Sequence, residues 1–238
     1  MRRKGAVAVR TAFSVCLGLL LVITNVVLAQ PEPLADLHAM VLGIGSSDKV
    51  LGAGIPLTSG SWGTDYITVS HGLRVGRQFA VTEDGKTFSA TSPVAACSSQ
   101  HHGIDVLILR VASHQNRPIV EWGDPADLKS GDELSMLPRR EFHPGAVTVK
   151  FVTINLLEWA KSKPEDWPRE WHNVMVGEGI SKDGFSGSPW VRNRKVYGIS
   201  RGRVRRRGDA NWYPVAETST SVQKCLEQLR YQELVPKG

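Results

Sequence analysis

Short apolar or alternating runs recur along most of this 238-residue chain, and Gly, Pro, Asp and Asn turns separate them. The runs lie at residues 40–44, 50–57, 66–69, 78–81, 106–111, 133–137, 146–154, 174–176, 190–191, 196–200 and 212–215. Many short strands at this spacing are typical of a β-barrel or a β-sandwich. The one good helix candidate follows a cap at residues 218–220, and its apolar face consists of Val222, Cys225, Leu226 and Leu229. The pattern predicts an all-β domain that ends in an amphipathic helix.

The first 29 residues have the composition of a secretory signal. Four basic residues and no acidic ones accompany an apolar run at 12–29, which ends in the small or β-branched residues that signal peptidase reads. We expect cleavage after Ala29, a linker at 30–36, and a secreted or periplasmic protein. An uncleaved membrane anchor is the alternative, because about 18 apolar residues are just enough to span a bilayer. Without the signal the net charge falls from +6 to +2, so charge does not indicate a nucleic-acid partner.

Two cysteines remain after the signal, Cys97 and Cys225, while Cys16 lies within it. An oxidising compartment permits the two to pair, and the sequence leaves open whether they do. Neither lies in a CxxC or Cys/His spacing, so the sequence predicts no zinc site and no cofactor.

A serine lies in a glycine-rich turn at residues 184–189, with the sequence GFSGSP. Glycines permit backbone angles that leave amide N–H groups free to point inward. The turn therefore presents Ser186 as a candidate nucleophile, and the N–H groups of Gly184 and Ser186 as a candidate oxyanion hole. An ordinary Gly/Ser loop is the alternative interpretation of these six residues alone.

The order of the other candidates favours catalysis. A serine nucleophile needs a histidine base and a carboxylate that orients it, and all seven histidines precede Ser186. That order excludes the serine, acid, histidine sequence of α/β-hydrolases and leaves histidine, aspartate, serine. His71 follows the apolar run at 66–69, and Asp105 directly precedes the run at 106–111. Each alone is more typical of a surface or turn residue, but the three together predict a catalytic triad.

Three blocks carry a resemblance to trypsin-like serine proteases: residues 68–71 (TVSH), 104–111 (IDVLILRV) and the GFSGSP turn. Residues 122–132 (WGDPADLKSGD) are similar to the bacterial HtrA/Deg branch of that family. The resemblance extends from about residue 50 to residue 229.

The resemblance implies a protease domain over residues 37–238 with no PDZ domain. Its fold would be two six-stranded antiparallel β-barrels, at about 37–118 and 119–217, followed by a helix at about 219–231. Its activity would be that of a serine endopeptidase, which acts on protein or peptide substrates through an acyl-enzyme. A catalytically silent binding protein with the same fold is the alternative, and the oligomeric state stays open.

The resemblance also assigns substrate contacts. Ser200, Arg201 and Gly202 align with the strand that pairs with the substrate backbone, and Ile180 would lie near the floor of a pocket for an uncharged side chain. The basic stretch 201–207 either favours acidic side chains in the substrate or is a solvated hairpin. The tryptophan-rich stretch 157–172 is interpreted as a loop inserted between strands.

Overall fold

A computed structural model describes residues 34–46, 49–71, 80–83, 88–97, 104–139, 141–156, 159, 174–205 and 208–236. Within these residues the chain forms two sheets of seven strands each and a few short helices. The predicted all-β class with a C-terminal helix is confirmed.

The first sheet consists of β1 (Leu42–Ser46), β2 (Lys49–Gly60), β3 (Gly63–Thr68), β4 (Ala80–Thr82), β5 (Phe88–Ala90), β6 (Ser92–Cys97) and β7 (Val106–Val111). Its strand order is β5-β4-β1-β2-β3-β7-β6, and all neighbours are antiparallel. Over the described residues this sheet stays open between β5 and β6, so it forms a half-barrel where a closed six-stranded barrel was predicted. Its core is formed by Leu42, Ile44, Tyr66, Val81, Leu107, Leu109 and Val111.

The second sheet consists of β8 (Glu121–Trp122), β9 (Glu133–Met136), β10 (Val147–Thr153), β11 (Val174–Gly179), β12 (Pro189–Arg192), β13 (Lys195–Arg205) and β14 (Trp212–Thr218). Strand β12 pairs with both β9 and β13, so six strands close into the predicted antiparallel barrel. Strand β8 was not predicted and adds to β13 in parallel. Trp190 and Met136 are fully buried in the core of this barrel.

Hydrophobic periodicity explains which strands are recognisable in the sequence. In β10 the side chains of Val147, Val149 and Phe151 are buried and those between them are exposed, as expected for a strand with one solvent-exposed face. Strand β6 was not predicted because its sequence SPVAAC has small residues and a proline. Proline is tolerated there because β6 is an edge strand of its sheet and its register with β7 shifts between Pro93 and Ala95.

Strands β4 and β5 pair as an antiparallel hairpin on either side of the sequence EDGKT at residues 83–87, in which Asp-Gly is a typical hairpin turn. Residues 84–87 lie outside the described residues. So do the predicted signal at 1–29, most of the linker at 30–36 and most of the stretch 157–172.

The helices are short: α1 (Ala35–Ala39), a 3-10 turn (Pro125–Asp127), α2 (Ser219–Gln228) and α3 (Tyr231–Leu234). Helix α2 begins where the sequence predicted, because the Thr218 hydroxyl accepts a hydrogen bond from the Ser221 N–H at 2.9 Å. Val222 and Cys225 are buried on its inner face. Among the described residues, no helix has the length and apolarity needed to cross a bilayer.

A disulfide and several hydrogen bonds connect the C-terminal helices to the first sheet. A disulfide joins Cys97 on β6 to Cys225 on α2, which settles the pairing that the sequence left open. On α3, the buried Tyr231 hydroxyl donates to the Asp65 carboxylate at 2.5 Å. Arg110 also binds Asp65 through two hydrogen bonds of 2.7 and 2.8 Å. The C-terminal segment therefore packs on the N-terminal half of the fold.

Candidate active site

The turn that carries Ser186 joins β11 to β12 and is held between the two sheets. The Ser186 carbonyl accepts from the Ala53 N–H on β2, and the Gly187 N–H donates to the Ser200 carbonyl on β13, each at 2.7 Å. Gly187 has φ +82°, and a Cβ there would lie 1.9 Å from the Ala53 oxygen. Only glycine fits this position, because the obstacle is backbone and the angle is left-handed. The glycines of the GFSGSP block thus bring the serine to the boundary between the sheets.

The antiparallel pairing of β3 with β7 brings His71 and Asp105 together. Thr68, at the end of β3, lies opposite Leu107, near the start of β7. Because His71 follows β3 and Asp105 precedes β7, both side chains emerge at the same end of the pair. A separation of 34 residues along the sequence thus becomes direct contact in the fold.

The three predicted residues form a continuous hydrogen-bonded relay. His71 Nδ1 lies 2.5 Å from Asp105 Oδ2, and His71 Nε2 lies 3.1 Å from Ser186 Oγ. The Asp105 side chain is 4% exposed, whereas that of His71 is 43% exposed. A buried acid, a partly exposed imidazole and a hydroxyl at its far nitrogen are the groups that proton transfer from a serine requires.

Asp105 is surrounded by donors that favour its ionised form. Its Oδ1 accepts from the Ser70 N–H at 2.8 Å, the Ser70 hydroxyl at 2.5 Å and the His71 N–H at 2.9 Å. Burial alone raises the pKa of Asp105, but the bonds from His71 and Ser70 and the charge of Arg201 outweigh burial and lower it below its usual value. The carboxylate is therefore ionised at neutral pH, as the orientation of a histidine base requires.

The predicted oxyanion donors are the N–H groups of Ser186 itself and of Gly184, two residues before it. Gly184 has φ +90°, and its N–H and that of Ser186 have no acceptor within the described part of the chain. The neighbouring N–H groups of the turn are used: Phe185 donates to the Lys182 carbonyl at 3.2 Å and Ser188 to the Phe185 carbonyl at 3.0 Å. Two N–H groups of the turn therefore remain without an acceptor in the described residues, as the predicted oxyanion hole requires.

The structure separates the residues that were predicted to contact substrate. Ile180 is 53% exposed beside the turn, and Gly202 is half-buried on β13. Ser200 is buried, and its backbone N–H and carbonyl bond Ser188 and Gly187. The Arg201 side chain is also buried and contacts Asp105 and Glu217, so it points away from the solvent-facing position that its neighbours suggested.

A β-bulge lies at this position. Ser200 lies opposite Ala216 and Gly202 lies opposite Val215, so Arg201 is an extra residue on β13. A bulge turns one side chain out of the alternating pattern. Arg203 and Arg205 resume the pattern and face solvent, where both stack on Trp212 at 5.0 and 5.2 Å from the ring centre. The basic stretch thus divides into one inward arginine and an outward pair, and Arg206 and Arg207 lie outside the described residues.

Three further residues of the site were not predicted. Ser70 directly precedes His71 in the TVSH block. Its hydroxyl group and its position beside His71 are a sequence signal that could have identified Ser70 as a partner of Asp105. Glu217 lies at the end of an apolar run on β14. Its burial could not be recognised from the sequence, because the sequence alone does not show which residues of this strand face the interior. Phe142 packs beneath Gly184 from a loop distant in sequence, and nothing in the sequence indicates this contact.

A groove of about 550 Å³ lies apart from the relay. Its lining includes Trp122, Asp124, Ile154, Gln223 and Lys224, and it shares no residue with the relay. The groove is therefore not part of the relay.

The architecture is that of trypsin-like serine proteases of the HtrA type. The chain superposes on the Rv3671c protease of M. tuberculosis in its inactive form with a TM-score of 0.59 and 19% identity, over 84% of this chain and 98% of that one. The active form of that protease gives 0.58 and 20% identity, over 84% and 88%. The HtrA-type protease AlgW with decapeptide gives 0.59 and 14% identity, over 77% and 52%. At these identities the likeness concerns the fold, and no protein-family model or curated sequence matches the chain.

Proposed function

We propose that this protein is a serine endopeptidase that hydrolyses peptide bonds of protein substrates through His71, Asp105 and Ser186. The observation that carries the proposal is the unbroken relay from the buried Asp105 carboxylate through the imidazole to the Ser186 hydroxyl. The relay occurs in a fold that the chain shares with solved proteases.

The chemistry is acyl transfer in two stages. His71 Nε2 removes the Ser186 proton while Oγ attacks the peptide carbonyl carbon, and the Gly184 and Ser186 N–H groups bind the resulting oxyanion. His71 then gives the proton to the leaving nitrogen, the C–N bond breaks, and an acyl-enzyme remains. A water molecule, deprotonated by His71, releases the acid and restores the serine. Asp105 stabilises the imidazolium in both stages, and each oxyanion donor contributes about 3 to 4 kcal/mol.

The proposed substrate lies along β13 beyond the closed part of the barrel. Strand β12 pairs with β13 only as far as Ile199, and from Arg201 onward β14 is the sole strand partner of β13 among the described residues. An extended peptide can add to this free edge beside Ser186. Gly202 leaves room for the substrate backbone, and Ile180 borders the position of the side chain that precedes the cleaved bond.

Fluorophosphonate labelling tests the proposal directly, because the reagent reacts with activated serines. We expect labelling of the wild type, and none of the Ser186→Ala or His71→Ala variants. Ser188→Ala is the matched control, because the buried Ser188 hydroxyl has no partner within the described residues. If folded wild type is not labelled, the protein is a binding protein with a protease fold.

We also propose that the chain is exported, with residues 1–29 as its signal. The Cys97–Cys225 disulfide supports this proposal, since such bonds persist in oxidising compartments. N-terminal sequencing of the secreted or periplasmic protein tests it: a mature chain beginning at Gln30 is expected, and a retained Met1 would contradict cleavage.

Gly184 offers a prediction about the oxyanion donors. Replacement by alanine puts a Cβ 2.8 Å from the Phe142 ring at a residue with φ +90°, so the N–H must move. We expect kcat to fall by about 100- to 1000-fold. Gly131→Ala is the control, because Gly131 has φ +94°, lies away from the relay and has no neighbouring atom within 4 Å of an added methyl group. Equal kcat losses in both variants would show that backbone strain alone is responsible.

Arg203 and Arg205 predict a preference for acidic side chains on the substrate. They face solvent on β13 just beyond the proposed backbone-pairing residues, and Arg203 reaches the Ser181 carbonyl at 3.4 Å. Charge reversal of both arginines to Glu should lower kcat/KM about 10-fold for peptides with Asp or Glu upstream of the cleaved bond, and the effect should weaken in high salt. Arg117→Glu, on the first half of the fold, is the control. An unchanged ranking of acidic and basic peptides would contradict this prediction.

A further inference from the structure

The bulge at Arg201 places a charged cluster directly behind Asp105. The side chains of Arg201, Asp105 and Glu217 are only 2%, 4% and 1% exposed. One Arg201 nitrogen, Nη1, donates to Glu217 Oε1, and another, Nε, lies 3.6 Å from Asp105 Oδ2. A single guanidinium therefore lies between two buried carboxylates, one of which belongs to the relay.

Glu217 also holds the backbone of Asp105. Its Oε1 accepts from the Asp105 N–H at 3.1 Å. Asp105 lies outside β7, in the connection that precedes the strand, so strand pairing does not fix its N–H. Burial raises the pKa of Glu217 to about 7, against the opposing effect of Arg201. The carboxyl oxygen is an acceptor in both protonation states, so this contact persists on either side of neutral pH.

The cluster joins the two halves of the fold at the relay. Asp105 and His71 come from the first sheet, whereas Arg201, Glu217 and Ser186 come from the second. His71 Nε2 on the first half lies 3.1 Å from Ser186 Oγ on the second half. Proton transfer between these two atoms therefore depends on how the halves are held together. A displacement of about 1 Å at such a contact lowers the rate by about 100-fold.

We infer that Arg201 and Glu217 are positioning residues, which fix Asp105, and through it His71, against the half of the fold that carries Ser186. The inference rests on the proposed function. Arg201 is the extra residue of the bulge, between the pairs Ser200–Ala216 and Gly202–Val215, and its side chain fills the gap behind the acid.

Two variants separate positioning from simple structural support. Arg201→Met with Glu217→Leu removes both charges together, so no buried charge is left without a partner and the protein is expected to fold. It loses the acceptor for the Asp105 N–H and the contact with its carboxylate. Glu217→Gln keeps an oxygen acceptor for both donors and is the conservative control. Thermal melts measure the folded fraction of each.

We expect the double variant to lose about 10- to 100-fold in kcat with KM within about 2-fold of wild type, and Glu217→Gln to keep kcat within about 3-fold. Wild-type kcat per folded molecule in the double variant would overturn the inference. An equally large loss in Glu217→Gln would also overturn it, since charge rather than placement would then be responsible.

A second readout does not need activity. The proton on His71 Nδ1, held by Asp105 at 2.5 Å, gives its own NMR signal when exchange with water is slow. We expect this signal in wild type and Glu217→Gln and its loss in the double variant. If wild type and Ser186→Ala hydrolyse peptides equally, the proposed function fails, while the NMR signal still decides the inference: persistence in the double variant would overturn it.

Discussion

Replacement of Ser186 by alanine should lower the turnover of peptide hydrolysis about a millionfold. The variant loses the nucleophile while Gly184 and the other backbone donors stay in place, so residual activity reflects binding and oxyanion stabilisation alone. Steady-state assays with a fluorogenic peptide measure the loss, and active-site titration of the wild type supplies the enzyme concentration.

Ser188→Ala serves as the matched control for turnover as it does for labelling. The two serines lie in the same turn, but the Ser188 side chain is fully buried, so its removal should leave kcat within a few-fold of wild type. Comparable activity in Ser186→Ala and wild type would refute the assignment of the nucleophile. His71→Ala should show a loss close to that of Ser186→Ala, because the two act as one unit.

Removal of the disulfide should have the largest effect on stability. Cys97 and Cys225 are 128 residues apart, and closing a loop of this length restricts the unfolded chain by about 5 kcal/mol in the chain-entropy treatment. We expect the Cys97→Ala, Cys225→Ala double variant to lose about 4 to 5 kcal/mol in free energy of unfolding, measured by urea titration.

Reduction of the wild-type disulfide by dithiothreitol is the control, because it breaks the link and keeps both side chains. Reduced wild type and the double variant should have similar midpoints, and the double variant should be insensitive to reductant. A midpoint equal to that of oxidised wild type would show that packing of α2, rather than the link, stabilises the C-terminal segment.

Much of the fold was predictable because burial leaves a periodic trace in the sequence. Strand β10 alternates, β7 is apolar throughout most of its length, and the Thr218 cap marks the start of α2. Strands β6 and β8 were not predictable: the first has small residues at the edge of a sheet, and the second has only two residues that pair with distant Lys195 and Val196.

The candidate site was predictable in its residues but not in its surroundings. His71, Asp105 and Ser186 each adjoin a strand or a glycine turn, so local pattern and order along the chain were sufficient to select them. Their catalytic roles stay a prediction until the variants are measured. The inward Arg201 was not predictable, because a bulge is a property of the pairing between β13 and β14 and leaves no mark in the alternation of β13 alone.

The bond between Tyr231 and Asp65 has a consequence for the order of synthesis. The two residues lie 166 positions apart, so a ribosome makes Asp65 long before the tyrosine that closes the structure around it. Ser186 likewise follows His71 by 115 residues. A nascent chain therefore cannot assemble the relay before Ser186 has been made, and Asp65 has no Tyr231 partner until still later. Under the proposed function, a nascent chain that already contains His71 and Asp105 is not yet a peptidase, because its nucleophile is still to be made.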